Sequence, residues 1–156
     1  MSDVKTRPRP SAAYEADFHA WSKDQAARLR ELRPNSIDWE NIAGEIEDVG
    51  GWQRREIRSR SVVALIHLLK WSYQPDGRNN NWRASIAGAR AEIHHEISES
   101  PSLKRYPKEM LDRQYALARL EASGETGLSL HVFPEACPFT IEQVLDPDFW
   151  PDAPKT

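Results

Sequence analysis

Helical periodicity recurs along this chain, and one pair of adjacent glycines interrupts it. Together these features constrain the fold more than any other. Apolar residues return at intervals of three or four, the repeat of one helix face, while the alternation of a half-buried strand is scarce. A first helix is predicted over Tyr14 to Leu32, with Tyr14, Phe18, Trp21, Ala26, Leu29 and Leu32 on one side and Pro34 closing it. A second begins near Ser36 or Asp38, either of which can cap by accepting a bond from an early backbone N–H. Its apolar set is Trp39, Ile42, Ile46 and Val49, a narrow stripe expected to face a packing partner.

Gly50-Gly51 then breaks the phase. In a continuous helix the stripe would move on to Gln53, Glu56 and Arg60, which are all polar. A different stripe appears instead at Ile57, Ser61, Leu65, Leu68 and Leu69. Each glycine costs about 1 kcal/mol inside a helix, so the expectation is a break followed by a third helix over Trp52 to Tyr73. That helix is apolar nearly all round from Val62 to Leu69, which predicts a central position in the core.

Gln74-Pro75-Asp76-Gly77 reads as a turn, and Asn79, Asn80 and Asn81 offer caps for a fourth helix over Trp82 to Ser98. Ser100-Pro101 starts a short turn, and Pro107 restarts the chain into a fifth helix ending at Ser123 before Gly124. Leu128, Leu130 and Val132 alternate with polar residues, suggesting a brief extended stretch. Thr140 and Gln143 form a capping box for a last short helix, which Asp146-Pro147 ends.

The fold class expected is therefore all-α. It is an irregular bundle of about five main helices, with a short C-terminal extended and Pro-rich segment and a final short helix. One domain is expected over 13–151, between a flexible N-terminal tail (1–12) and a C-terminal tail (152–156). A length of 156 residues suits a single core. No apolar run approaches the length of a membrane span, and Met1 to Ser11 lacks the apolar region of a secretory signal. The single cysteine, Cys137, cannot form an intrachain disulfide, which points to a reducing, cytoplasmic setting. It is read as a packing residue, since nothing nearby would activate a thiolate.

Several blocks have a family likeness. They are Tyr14-Glu15-Ala16-Asp17-Phe18 with Trp21, Asp38 to Ala43 running into Glu45-Ile46-Glu47 and Gly50, and His67 to Trp71 with Tyr73-Gln74-Pro75. Downstream come Trp82-Arg83, Ser100 to Leu103, Phe133-Pro134-Glu135 with Cys137-Pro138, and Leu145 to Pro151. In that order, across Tyr14 to Pro151, they resemble the bacterial family called domain of unknown function 29. The resemblance implies a helical fold and a bacterial origin. It brings no activity, cofactor or catalytic residue with it.

Four groups of residues invite a functional reading. Glu92-Ile93-His94-His95-Glu96 contains Glu-x-x-His, half of the ligand set of a dinuclear carboxylate bundle, but no second copy exists. With Ile93 facing the core, about 100° of rotation per residue carries Glu92 and His95 toward solvent, so a solvated face is the simpler reading. His67 shares the least apolar side of its helix with Arg60 and Lys70. Such groups need partners if buried, and the acidic second helix offers Glu45 among others. This is either a structural polar seam or a cleft in which Glu45, His67 and Lys70 bind a metal or ligand or act as acid and base. Arg54, Arg55 and Arg58 could meet phosphate, although they follow a run of carboxylates and the net charge is −3. Trp71, Tyr73 and Trp82 flank a polar turn, as core staples or as an interaction surface.

Three functions are compatible with these residues. The absence of any catalytic motif favours a non-enzymatic protein-interaction module, with a protein partner or self-association. A metal- or ligand-binding protein or enzyme at Glu45, His67 and Lys70 is the alternative, and a nucleic-acid-associated regulator the third. No cofactor and no membrane partner is implied.

Overall fold

A glycine pair need not end a helix when a neighbour uses the space its missing side chains leave. In the computed structural model, which describes residues 11–32 and 37–154, the predicted second and third helices are one. This helix, α3, is Trp39–Tyr73, 35 residues long, and passes unbroken through Gly50 and Gly51. Asp38 caps it, accepting from the Asn41 backbone N–H at 3.2 Å. Before it come α1 (Ser11–Ala16) and α2 (Phe18–Leu32). The expected break is wrong because α2 lies directly against Gly50. A Cβ on Gly50 would stand 2.6 Å from the Ser22 Cβ, far inside van der Waals contact. The Ser22 hydroxyl is buried and donates to the His19 carbonyl at 2.8 Å, while His19 Nδ1 donates to the Gly50 carbonyl at 2.9 Å. The helix propensity forfeited at Gly50 is offset by this close approach.

The approach also sets which face of α3 is covered. Ala43, Gly50, Ile57 and Ala64 recur every seven residues, and all are buried. That seam sits to one side of the Trp39–Val49 stripe, so the stripe does not pack as expected. Ile42 is 39% exposed and Val49 55%.

The single helix predicted over Tyr14 to Leu32 divides at Asp17. Its carboxylate accepts from the Ala20 backbone N–H at 2.8 Å, capping α2, and from the Ser102 N–H at 2.6 Å and Ser102 hydroxyl at 3.0 Å. An aspartate that caps one helix and holds a distant turn is better satisfied outside a helix than within it. Asn79 caps α4 (Asn80–Glu99), and Pro107 occupies the first turn of α5 (Tyr106–Thr126). α5 outlasts the predicted stop at Gly124 and ends where Gly127 turns left-handed at φ 72°. The predicted extended stretch is instead a single 3₁₀ turn at Leu130–Val132, and no strand occurs among the described residues. Thr140 and Gln143 make the anticipated capping box of α6 (Ile141–Leu145).

The fold is all-α, with four long helices rather than five, because two predicted helices are fused. α2, α4 and α5 all pack on α3, and Leu65, Leu68, Leu69, Ile86 and Tyr115 lie at the centre of the core. The C-terminal segment wraps this bundle with few backbone bonds of its own. Arginines supply them instead. Arg90 donates to the carbonyls of Val144, Gln143 and Phe149, and Arg119 to those of Phe133 and Leu130. The Tyr115 hydroxyl, its pKa pushed up to about 12 by burial, donates to the Pro134 carbonyl at 2.6 Å. Residues 1–10, Pro34, Ser36 and residues 155–156 lie outside the described residues.

Adjacent glycines with opposite surroundings give a paired test. Gly51 has only an ordinary contact, Arg55 Nη1 at 3.5 Å, so Gly51→Ala is expected to stabilise by about 0.5–1 kcal/mol. Gly50→Ala meets Ser22 and is expected to destabilise by about 1–3 kcal/mol, with Ser22→Gly less harmful in that background than in the wild type. Urea denaturation of the wild type, the three single variants and the double variant measures this, and a stabilising Gly50→Ala would contradict the close-approach account.

Candidate functional site

The continuity of α3 decides where the sequence-derived candidates fall. Glu45 and His67 lie on the same helix, 22 positions apart (45 to 67), about 33 Å of axial rise at 1.5 Å per residue. They share neither a seam nor a cleft, which corrects both versions of that reading. Glu45 is exposed, and the His67 ring donates from Nδ1 to its own helix at the Val63 carbonyl, 2.8 Å away. Lys70 pairs with Glu125 on α5 at 2.8 Å and sits over the Trp82 ring. Arg60 pairs with Glu56 one turn earlier, at 2.6 Å.

The aromatic candidates are used internally. Trp71 is buried against Trp150, ring centroids 4.8 Å apart, and the Arg78 and Arg83 guanidiniums stack on it. Tyr73 meets Phe133 edge-on at 5.2 Å, and burial raises its hydroxyl pKa. Trp82 is half-buried, its ring filling the space beside Gly77. Of the arginine run, Arg54 stacks on Tyr106 and Arg58 donates to the Tyr106 hydroxyl at 2.8 Å, leaving Arg55 exposed. Cys137 packs on the core, and burial pushes its thiol pKa up, away from a reactive thiolate. Among the described residues, no three His, Cys, Asp or Glu side chains are grouped to hold a metal ion.

A different set of residues meets where α1, α2, α3 and the end of α4 converge. They enclose an open cleft of about 650 Å³, lined by Tyr14 and Glu15, Phe18, Trp52 and Gln53, and His95, Glu96 and Glu99. Its aromatic side is built from one helical face carried across the Asp17 break. Tyr14 packs edge-on against Phe18 and Trp21, centroids 5.4 and 4.8 Å away. Its polar floor is a relay between helices. The His19 backbone N–H donates to Ser100 Oγ at 3.1 Å, and that hydroxyl donates to Gln53 Oε1 at 2.7 Å. With its oxygen so engaged, Gln53 has its amide N–H group left to favour the charged form of Glu96.

Glu96 lines this cleft, although the sequence pattern did not single it out. Glu92 and His95 point outward as helix rotation requires, but Glu96 is only 3% exposed. Its Oε2 is buried with no hydrogen-bond partner. A signal for it exists, because Glu96 follows Ile86, Ala89 and Ile93 in the buried register of α4. Burial holds its carboxyl above the ordinary range. The Gln53 hydrogen bond and neighbouring His95 oppose the shift, while Glu56 and Glu92 add to it.

That direction makes a pH prediction. The folded protein binds the Glu96 proton more tightly than the unfolded chain does. The contribution to stability is therefore fully present below the ordinary carboxyl pKa and is lost as pH rises through the raised folded value. Without added cations, Glu96→Gln is expected to equal or exceed the wild type in stability at neutral pH. That advantage should disappear on acidification into the ordinary carboxyl range. Urea titrations at the two pH values measure it, and a wild type more stable than the variant at neutral pH contradicts the assignment.

No helix among the described residues is long and apolar enough to cross a membrane. Among curated proteins none matches the chain. A solved structure, that of an alpha-helical protein of unknown function from Rhodospirillum rubrum, is similar with a TM-score of 0.68 and 25% sequence identity, covering 87% of this chain and 90% of that one. Residues 13–150 match the family described as domain of unknown function DUF29, and the chain belongs to that family.

Proposed function

We propose that this chain is a non-enzymatic protein-interaction module whose recognition surface is the open flank of α3 together with the cleft at its midpoint. The observation that carries the reading is the unpacked stripe Ile42, Val49 and Trp52, in which Val49 is 55% and Trp52 45% exposed. Spacings of seven and three place these groups along one side of a helix, the pattern a helical partner covers with its own apolar side chains. Exposed large apolar groups aligned in this way favour a partner over solvent. Trp52 belongs to both the stripe and the cleft lining, which makes the surface continuous.

The surroundings give the partner its chemistry. Exposed Glu45 lies between Ile42 and Val49, and Glu15 and Glu99 edge the cleft. An amphipathic protein segment with an apolar face and basic flanks complements that arrangement. A cytoplasmic setting fits the lone Cys137, and one folding unit over 13–151 fits α2, α4, α5 and α6 all packing on α3. The arginine run and the Glu45, His67 and Lys70 set lend no comparable support to the other two functions, since each is committed to internal contacts or dispersed.

Affinity capture with the full chain tests this. The expected result is a stoichiometric partner that reassembles from purified components. Val49→Glu should weaken that complex by about thirtyfold, the scale of a hot spot near 2 kcal/mol, without lowering the melting temperature. Failure of any complex to reassemble, or unchanged binding by Val49→Glu, overturns the reading. Sizing the free protein separates a second copy of the chain from a different partner.

A further inference from the structure

We infer that the cleft between α1, α2, α3 and α4 is a binding site for an organic cation, a primary ammonium or guanidinium group, with Glu96 as its counter-ion and Tyr14 and Trp52 as its aromatic walls. This deepens the interaction reading, on which it rests where the cation is a lysine or arginine side chain of the partner.

The charge of the cleft is one-sided. Glu15, Glu96 and Glu99 line it, with His95 beside them, and among the described residues no lysine or arginine does. Three acidic groups on α3 have cations of their own, Glu40 and Glu47 in Arg30 and Glu56 in Arg60. Glu96 differs in being buried and in no ion pair among the described residues, with only the charge of the His95 ring nearby to favour its own. The Gln53 amide, oriented by Ser100, favours its charged form, and Oε2 has no hydrogen-bond donor. A buried carboxylate oxygen without a donor is costly, and a ligand N–H reaching the floor of the cleft would remove that cost.

The walls suit the same ligand. Tyr14 is 48% and Trp52 45% exposed, so both rings offer surface to an incoming group. Aromatic faces attract cations through their quadrupole, and more strongly where the cation is desolvated. A volume of about 650 Å³ accommodates an ammonium or guanidinium with its alkyl stem. A hard metal ion would want a dense oxygen cage, whereas no three candidate ligands are grouped here among the described residues.

The test titrates the full-length protein with N-acetyl-lysine methylamide, N-acetyl-arginine methylamide and spermidine. N-acetyl-norleucine methylamide serves as the neutral control of similar shape. Nuclear magnetic resonance follows the Gln53 side-chain amide and the Trp52 indole N–H. The expected result is saturable binding of the cations at those two signals and none for the neutral control. Glu96→Gln should weaken binding by about tenfold or more, and Trp52→Ala, a change at an exposed position, should weaken it as well. Shifts that rise without saturating, equal binding of the neutral control, or undiminished binding by either folded variant would overturn the inference.

Preference for spermidine assigns the site to a free amine, and preference for the capped residues assigns it to a protein side chain. Either upholds the shared chemistry. The two proposals also fail separately. A Val49-dependent complex indifferent to Glu96→Gln and to added cations removes the cation site and leaves the interaction module. Saturable cation binding with no reassembled complex does the reverse.

Discussion

The arrangement of this molecule depends on the contact between Ser22 and Gly50. Because Gly50 has no side chain, α2 comes close enough for His19 to donate to the Gly50 carbonyl, and α3 is held on one side along its whole first half. That closeness brings the His19 backbone N–H to Ser100, and Ser100 in turn orients Gln53. The beginning of α2, the middle of α3 and the end of α4 thus meet at one buried polar node, each group satisfied by the next. The cleft lies on this node. Spread α2 from α3 by the width of one methyl group, and Ser100 loses a donor and Gln53 its orientation toward Glu96.

The other end of the bundle is held by different means. A Pro-rich segment with little regular structure must still satisfy its carbonyls where it is buried. Arginine is suited to this, because a planar guanidinium offers five donors from one side chain. Arg90 serves three carbonyls around α6 from a fully buried position, at the cost of desolvation that lowers its pKa, and it also lies over Trp150. Lysine could not reproduce that planar fork. Trp71, Trp150, Arg78 and Arg83 continue the same interlock. The tryptophan-rich turn is therefore a fastening of the strap, and its rings are occupied.

Residue patterns revealed much of this and concealed one decisive part. Caps at Asp38, Asn79 and Thr140 were readable because capping is local chemistry between neighbours in the chain. The central place of Val62 to Leu69 was readable because an all-round apolar helix can only be buried. The fusion through Gly50-Gly51 was not, since helix propensity is local whereas its compensation comes from Ser22, distant in sequence. Counting only large apolar groups also hid the seam, for Ala43, Gly50, Ile57 and Ala64 keep a seven-residue repeat in which three of the four residues are small. Of the site, Glu92 and His95 followed from rotation about Ile93. Glu96 did not, because its burial depends on what α1 and α2 place over the end of α4. Misplacing the helix break also misplaced the candidate site, since Glu45 and His67 could meet only across a turn that does not exist.

Several departures from the rules of a stable core meet around the middle of α3. Along the C-terminal strap arginines find carbonyls and aromatic rings find one another. Around Trp52 an apolar stripe faces solvent, a buried carboxylate lacks a partner for one oxygen, and the indole N–H of Trp21 has none either. Each departure disfavours the isolated folded chain, and their coincidence in one region is hard to attribute to packing, which small changes could improve at every one of these positions. A surface that is expensive alone and complementary to a basic, apolar segment becomes favourable once that segment is bound. The same polar node that fixes the α2–α3 crossing holds this surface rigid, so little further ordering would be needed on binding, and rigidity there converts contact area into affinity. On this argument the glycine at position 50 serves both ends at once: it closes the bundle and presents its binding face.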